Sequence, residues 1–364
     1  MNGLRLVAMG IDTVVDKRGI PRMTARTGVS VATPPIIERL LASSEPAVVY
    51  KTRHLLLDEP ETTPAMLALR QQIRSSPLAR RLLSHCPSDG KILTAPERNQ
   101  THAYQKWQGP HWTLYSLAEI DYPPGDSFLL PMRGQFYDWL FTPKHLKPPR
   151  TMVIQGQEDR VRRCAGQEGY AVWYSLILGL ADGRTEELVG RLKQWQWPDG
   201  GWNCDKRSEA RISSFYETLI PMRALALHAR LTGDASSAAA AAKAAEVFLS
   251  RRIFLRRKDR TVIRPDFVRT HFPFFYSYDI LYALLVMAEA GFLGDERCRE
   301  ALDLLKSKQL PDGGFPLEEK TWKCTDSYKT RGTFADWGAA GKTGMNGFVT
   351  VYTLYVLKKA GWAL

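Results

Sequence analysis

The chain has 364 residues, 44% of them hydrophobic and 24% charged, and its 50 lysines and arginines outnumber 38 aspartates and glutamates for a net charge of +12. That composition belongs to a globular chain and excludes disorder and collagen. The longest strongly apolar stretch, 280–288, falls well short of the roughly 20 residues that cross a bilayer, and five scattered cysteines without CxxC spacing suit reduced thiols.

Residues 1–33 have no period and read as an extension. Their apolar run carries Asp12 and Asp16 and no small-residue cleavage site, so no signal peptide is expected and the expected address is the cytoplasm. Residues 34–364 read as one domain. Residues 34–57, with Ile36, Ile37, Leu40 and Leu41, supply a first helical pair. LLSHCPSDGKI then makes a turn at Asp89, and WTLYSLAEI (112–120) is an apolar helix. YDWLFTPKHLKPP, near 144, offers aromatics and a proline-rich turn; YAVWYSLILGL (170–180) is a second apolar helix. TEELVGRLKQWQ is amphipathic and runs into the turn PDGGW, which SSFYETLIPMRALALHARL (213–231) follows. After a degenerate turn at Asp259 come YSYDILYALLVMAEAG (276–291), the amphipathic DERCREALDLLKSKQ with its PDGGF turn, and NGFVTVYTLYVLKKAG (346–361).

This is a repeat. Asp312 lies 113 positions after Asp199, and Asp199 lies 110 after Asp89, so the unit is about 55 residues. Helices that are apolar nearly all round must be enclosed, while the amphipathic ones need one covered face. The expected fold is therefore all-α, an α/α toroid with an inner ring of enclosed helices inside an outer ring. Each turn has its own physics: Pro198 or Pro311 ends a helix, the aspartate folds back on its own backbone, and paired glycines permit positive φ.

QWQWPDGGW and SKQLPDGGF resemble the QW repeats of the terpene cyclase and protein prenyltransferase superfamily, to which squalene-hopene cyclases and prenyltransferase β-subunits belong. The resemblance implies the toroid, with Gln196 and Trp202, and Gln309 and Phe315, tying neighbouring outer helices. It also marks the chain as divergent. No DxDD run is present, nor the DxC pair and later histidine of the zinc triad, so neither metal nor cofactor is expected. Cys204, Asp205 and His271 make the one tetrahedral set that the scattered ligands suggest.

The expected function is to act on or bind an isoprenoid-like or other elongated apolar ligand in a central aromatic cavity where the inner-helix starts converge. Asp279 or Glu217 would serve as acid or base, with His271 orienting it, and burial would raise both carboxylates. Against this, Glu217 has a capping role open to it behind Ser213 and Ser214, and Asp279 a pairing with arginine. Trp107, His111, Trp112, Tyr170, Trp173, Phe215, Phe275, Tyr276 and Tyr278 would line the cavity, and Arg264 and Arg269 would hold an anionic head. The alternatives are a carbohydrate-active toroid using the same two carboxylates, and a noncatalytic interaction scaffold.

Residues 251–270 carry eight basic and two acidic side chains, half of the net charge. In SRRIFLRRKDR the charges interleave with Ile253, Phe254 and Leu255, so peripheral membrane contact through 251–260 is an expectation beside a solvated face. No motif for sequence-specific nucleic-acid binding and no glycine-rich phosphate loop is present.

Overall fold

The computed structural model describes residues 34–94, 102–146, 160–329 and 331–363, together with the backbone of two short strands at 14–15 and 21–22. It divides into two compact units, Met1–Pro34 and Pro35–Leu364. In the first unit, β1 (Val14–Val15) and β2 (Pro21–Arg22) pair antiparallel, with Val14 opposite Arg22.

The second unit is mostly helical, and its helices alternate in character. α1 (Pro35–Leu41) packs on α2 (Pro46–Lys51), which continues through a wider π-type turn at Thr52–Leu56. α3 (Pro64–Arg74) and α4 (Pro77–Leu82) lead to α5 (Pro110–Glu119), in which every residue is buried. α6 (Leu130–Leu140) and α7 (Pro143–Leu146) precede the enclosed α8 (Ala165–Ile177). The half-exposed α9 (Gly183–Trp195) and α11 (Ala235–Leu249) flank α10 (Phe215–Thr232), and α12 (Ile280–Glu289) is apolar throughout its buried length. The strongly amphipathic α13 (Arg299–Lys306) precedes α14 (Gly347–Lys359). Two parallel two-residue strands, β3 (Lys323–Cys324) and β4 (Gly332–Thr333), join loops.

The boundaries follow from local chemistry. Proline stands at the first position of α2, α3, α4 and α5, where its missing N–H costs nothing. Asp182, Asp234, Asp279 and Asn346 cap α9, α11, α12 and α14 with side-chain oxygens, each cap worth about 1 kcal/mol.

Successive enclosed helices pack on one another, and the last packs on the first. Among the enclosed helices α5 packs on α8, α8 on α10, α10 on α12, α12 on α14, and α14 on α2. The closest approach is at Gly169, where a Cβ would lie 2.8 Å from the backbone nitrogen of Pro221, so no larger residue lets α8 and α10 meet so tightly. Lys51 Nζ reaches Asp121, 2.5 Å away, and so connects the end of α2 to the end of α5.

The two DGG turns bind the half-exposed helices. Gln196 Nε2 donates to the Gly200 carbonyl (2.7 Å) and to the Ala240 carbonyl of α11 (2.8 Å), while Trp202, buried, donates to the Leu192 carbonyl of α9. In the second turn Gln309 Nε2 donates to the Gly313 carbonyl, and Asp312 pairs with Arg39 of α1 at 2.8 Å. The copy expected near 144 begins as the short α7, and its remainder lies outside the described residues.

The segment 251–260 corrects one expectation. Ile253, Phe254 and Leu255 are buried in the core, so they are not offered to a membrane surface. The reason is a hairpin: Leu255 bridges Val262, and Tyr278 donates to the Ile253 carbonyl. No helix of the described residues is long and apolar enough to cross a membrane.

Candidate functional site

The starts of the enclosed helices, where a cavity was expected, are filled by rings packed on one another. Trp107 stacks on Phe275 with centroids 4.5 Å apart, Trp112 lies edge-on to Trp107 at 4.5 Å, and Tyr170 contacts both Trp112 and Tyr115. His111 is fully buried among Phe136, Trp112 and Tyr104. Burial alone holds its ring well below the usual histidine range, so it is neutral. Phe215 and Tyr278 belong to a second cluster with Phe248 and Phe267.

Asp279 is fully buried and committed. It accepts from the backbone N–H of Tyr282 (2.9 Å), from that of His271 (3.0 Å), and bonds His271 Nδ1 at 2.9 Å. Among the described residues no arginine is its partner; it caps α12 and anchors the preceding loop. Burial pulls the His271 ring down, but the bond to Asp279 and its charge outweigh this, and the ring is held above its ordinary value. Arg264 and Arg269 are exposed and paired with Asp266 and Glu319.

Glu217, in the first turn of α10, has a different setting. It is 1% exposed, and Ser213 and Ser214 make no capping box with it; Ser213 bonds Asp199 instead. Its carboxylate accepts from the Gly166 backbone N–H at the start of α8 (2.8 Å), from the Cys204 thiol (3.3 Å) and from the Tyr276 hydroxyl. Burial raises its pKa, partly offset by those three bonds. Ligand atoms of Cys164, Cys204 and Glu217 all lie within 4.8 Å of one another. The Cys204 thiol is raised by its bond with Cys164, by burial and by Glu217. Lys106 stands 5.2 Å from the Tyr276 ring and 5.4 Å from that of Trp107, its pKa lowered by burial and by Arg331. Cys164, Cys204, Lys106 and Tyr276 are all half-buried, so solvent reaches the cluster.

The cavity opens at the other ends of the helices. Its volume is about 630 Å³, and its walls come from the C-terminal halves of α5, α8, α10, α12 and α14 and the end of α2. Trp173, Leu176, Leu227, Leu285, Tyr352 and Tyr355 give it apolar surface. Across it runs a buried ion network: Arg223 bonds Glu119 at 2.7 Å and Glu289 at 2.7 and 2.8 Å, lies 4.1 Å from the Trp173 ring, and Glu119 also accepts from Tyr352. Arg230 and Lys359 stand at the rim with no acidic side chain in salt-bridge range among the described residues.

The expected site residues thus divide. Trp173 lines the cavity, Glu217 and Tyr276 join the thiol cluster, and His271 with Asp279 forms a separate capped pair. The set of Cys204, Asp205 and His271 does not assemble: Asp205 pairs with Arg207 and His271 with Asp279. Cys164, Arg223 and Glu119 were not singled out from sequence. The first is 40 positions from Cys204, and the bridge between Arg162 and Asn203 sets the two segments side by side. No protein-family model matches the chain, and no curated protein matches it closely enough to count as a relative.

Proposed function

We propose that the second unit is an α/α toroid of the terpene-cyclase and prenyltransferase type, and that it binds an elongated apolar, isoprenoid-like ligand in the cavity at the C-terminal ends of its inner helices. The observation that carries this reading is the shared cavity: six successive enclosed helices contribute walls to one space, of the size that takes small-molecule ligands. The tie from Asp312 to Arg39, which joins the turn after α13 to α1, suits a closed outer ring.

Charge decides the nature of the head group. Helix C-terminal ends each bring about half a negative charge, and six of them converge here. Five lysines and arginines among the lining residues face three carboxylates, and this surplus offsets the helix ends rather than exceeding them. The field therefore selects no strongly anionic head, and the apolar chain supplies the affinity. Binding, not turnover, is the activity at this end, because Glu119, Glu289 and Asp121 are each held by a cation. The carbohydrate reading has less support, since neither Glu217 nor Asp279 lines the cavity.

Farnesol provides the test. It should raise the melting temperature saturably, and Ala226→Trp, which fills the space, should remove the effect while the protein stays folded. Farnesyl diphosphate should bind no more tightly than farnesol. If farnesol and longer polyprenols leave the wild-type melting curve unmoved, the reading fails.

A further inference from the structure

We propose that Cys164, Cys204 and Glu217 form a zinc site with one open coordination position, at the helix starts opposite the cavity. The inference does not rest on the ligand reading above, because the two sites share no residue.

The first argument is geometric. Zinc bonds sulfur at about 2.3 Å and carboxylate oxygen at about 2.0–2.2 Å, so tetrahedral ligands stand about 3.5–3.8 Å apart. Cys204 Sγ and the Glu217 oxygen are already 3.3 Å apart, and the full triangle closes within 4.8 Å. Side-chain shifts of no more than about 1 Å complete the set. The ligands sit on well-fixed backbone: Cys164 at the cap position of α8, Glu217 in the first turn of α10, and Cys204 just after the DGGW turn whose Trp202 is buried against α9.

The second argument is electrostatic and independent of the thiols. A carboxylate 1% exposed normally has a cationic partner, because an isolated buried charge is costly. Glu119 has Arg223. Among the described residues Glu217 accepts only from a backbone N–H, a phenol and a thiol, and no basic side chain bonds it. A dication supplies the missing positive charge. With two thiolates and one carboxylate the zinc complex carries a single net negative charge, and Lys106, the nearby cation, balances it.

Ligand chemistry selects the metal. Two thiolates with one oxygen donor suit zinc over calcium or magnesium, which take oxygen ligands alone. Three protein ligands leave a fourth position for water or a substrate atom, as in catalytic rather than structural zinc sites. That position lies on the half-buried, solvent-reached side of the cluster, where Tyr276 and Lys106 stand.

The full-length protein, prepared under reducing conditions without chelator, should hold about one zinc per chain by elemental mass spectrometry. Replacing zinc by cobalt should give the thiolate charge-transfer band and intense visible bands of a tetrahedral site. Cys204→Ser and Glu217→Gln should each lower retained zinc at least tenfold, with melting curves of the metal-free proteins confirming that both variants fold. Cys298→Ser, which changes a buried thiol outside the cluster, should leave zinc unchanged. A folded, reduced wild type that takes up neither zinc nor cobalt overturns the site. So does retention of stoichiometric zinc in both Cys204→Ser and Glu217→Gln, or a Cys164–Cys204 disulfide whose reduction yields a protein that binds no metal.

Discussion

Glu119 and Glu217 are equally buried, both on enclosed helices, yet the protein treats them in opposite ways. Glu119, at the end of α5, accepts from Arg223 and from the Tyr352 hydroxyl, and Arg223 is held in turn by Glu289. Every charge in that network is answered by side chains of the protein itself, and it works as a structural tie between α5, α10, α12 and α14. Among the described residues Glu217 meets only neutral donors, two of which are chemically reactive or titratable groups. A buried acid without a base is expensive to keep, and the difference marks the helix starts around Glu217, not the ion network, as the place where the molecule holds chemistry in reserve.

The comparison can be broken most sharply at Arg223. Arg223→Ala strands Glu119 and Glu289 together and should cost about 3–5 kcal/mol in a denaturant titration; a loss below about 1 kcal/mol would mean that water or another cation already serves Glu119. Asp279→Asn comes next. Asparagine keeps one oxygen to cap α12, but its amide nitrogen can neither accept from the His271 backbone N–H nor carry the charge felt by the ring, and the expected loss is about 1–3 kcal/mol. Glu217→Gln should move stability the other way in the metal-free protein. Its folded pKa lies above the ordinary 4.5, so ionisation works against the fold at neutral pH, and removing the acid should raise stability there. A large loss instead would make Glu217 a structural residue like Glu119. The smallest effect concerns His271. Its folded pKa is raised, so its contribution is complete below about pH 6.5 and is lost as pH rises through the folded value. Denaturant midpoints should fall with pH across that window, and His271→Gln should flatten the curve.

The helices were legible because their patterns are strong. The apolar runs at 112–120, 170–180, 213–231, 276–291 and 346–361 fall on α5, α8, α10, α12 and α14, with a proline opening α5 and side-chain caps opening α12 and α14. The resemblance to QW repeats implied that Gln196 ties neighbouring helices, and its bond to the Ala240 carbonyl joins the end of α9 to α11. What sequence could not show was which end of each enclosed helix stays open. Aromatics at helix starts read equally well as cavity walls and as filling, and here Trp107, Trp112 and Phe275 fill. Cys164 was invisible for another reason: metal sets are recognised by short spacing, and this one depends on a long-range bridge, Arg162 with Asn203, that sequence does not announce.

Lys358, in the last turn of α14, donates to the Leu56 carbonyl at 2.8 Å, across 302 positions of chain. A ribosome adding about 5–20 residues per second needs roughly 15–60 s to bridge that gap. Throughout that interval α2 has α3 beside it but the face it turns to α14 has no final neighbour, so that face of the newborn chain needs shielding during synthesis. Swapping the order of the hairpins, so that α14 is made next to α2, should shorten that exposure and raise the yield of folded protein.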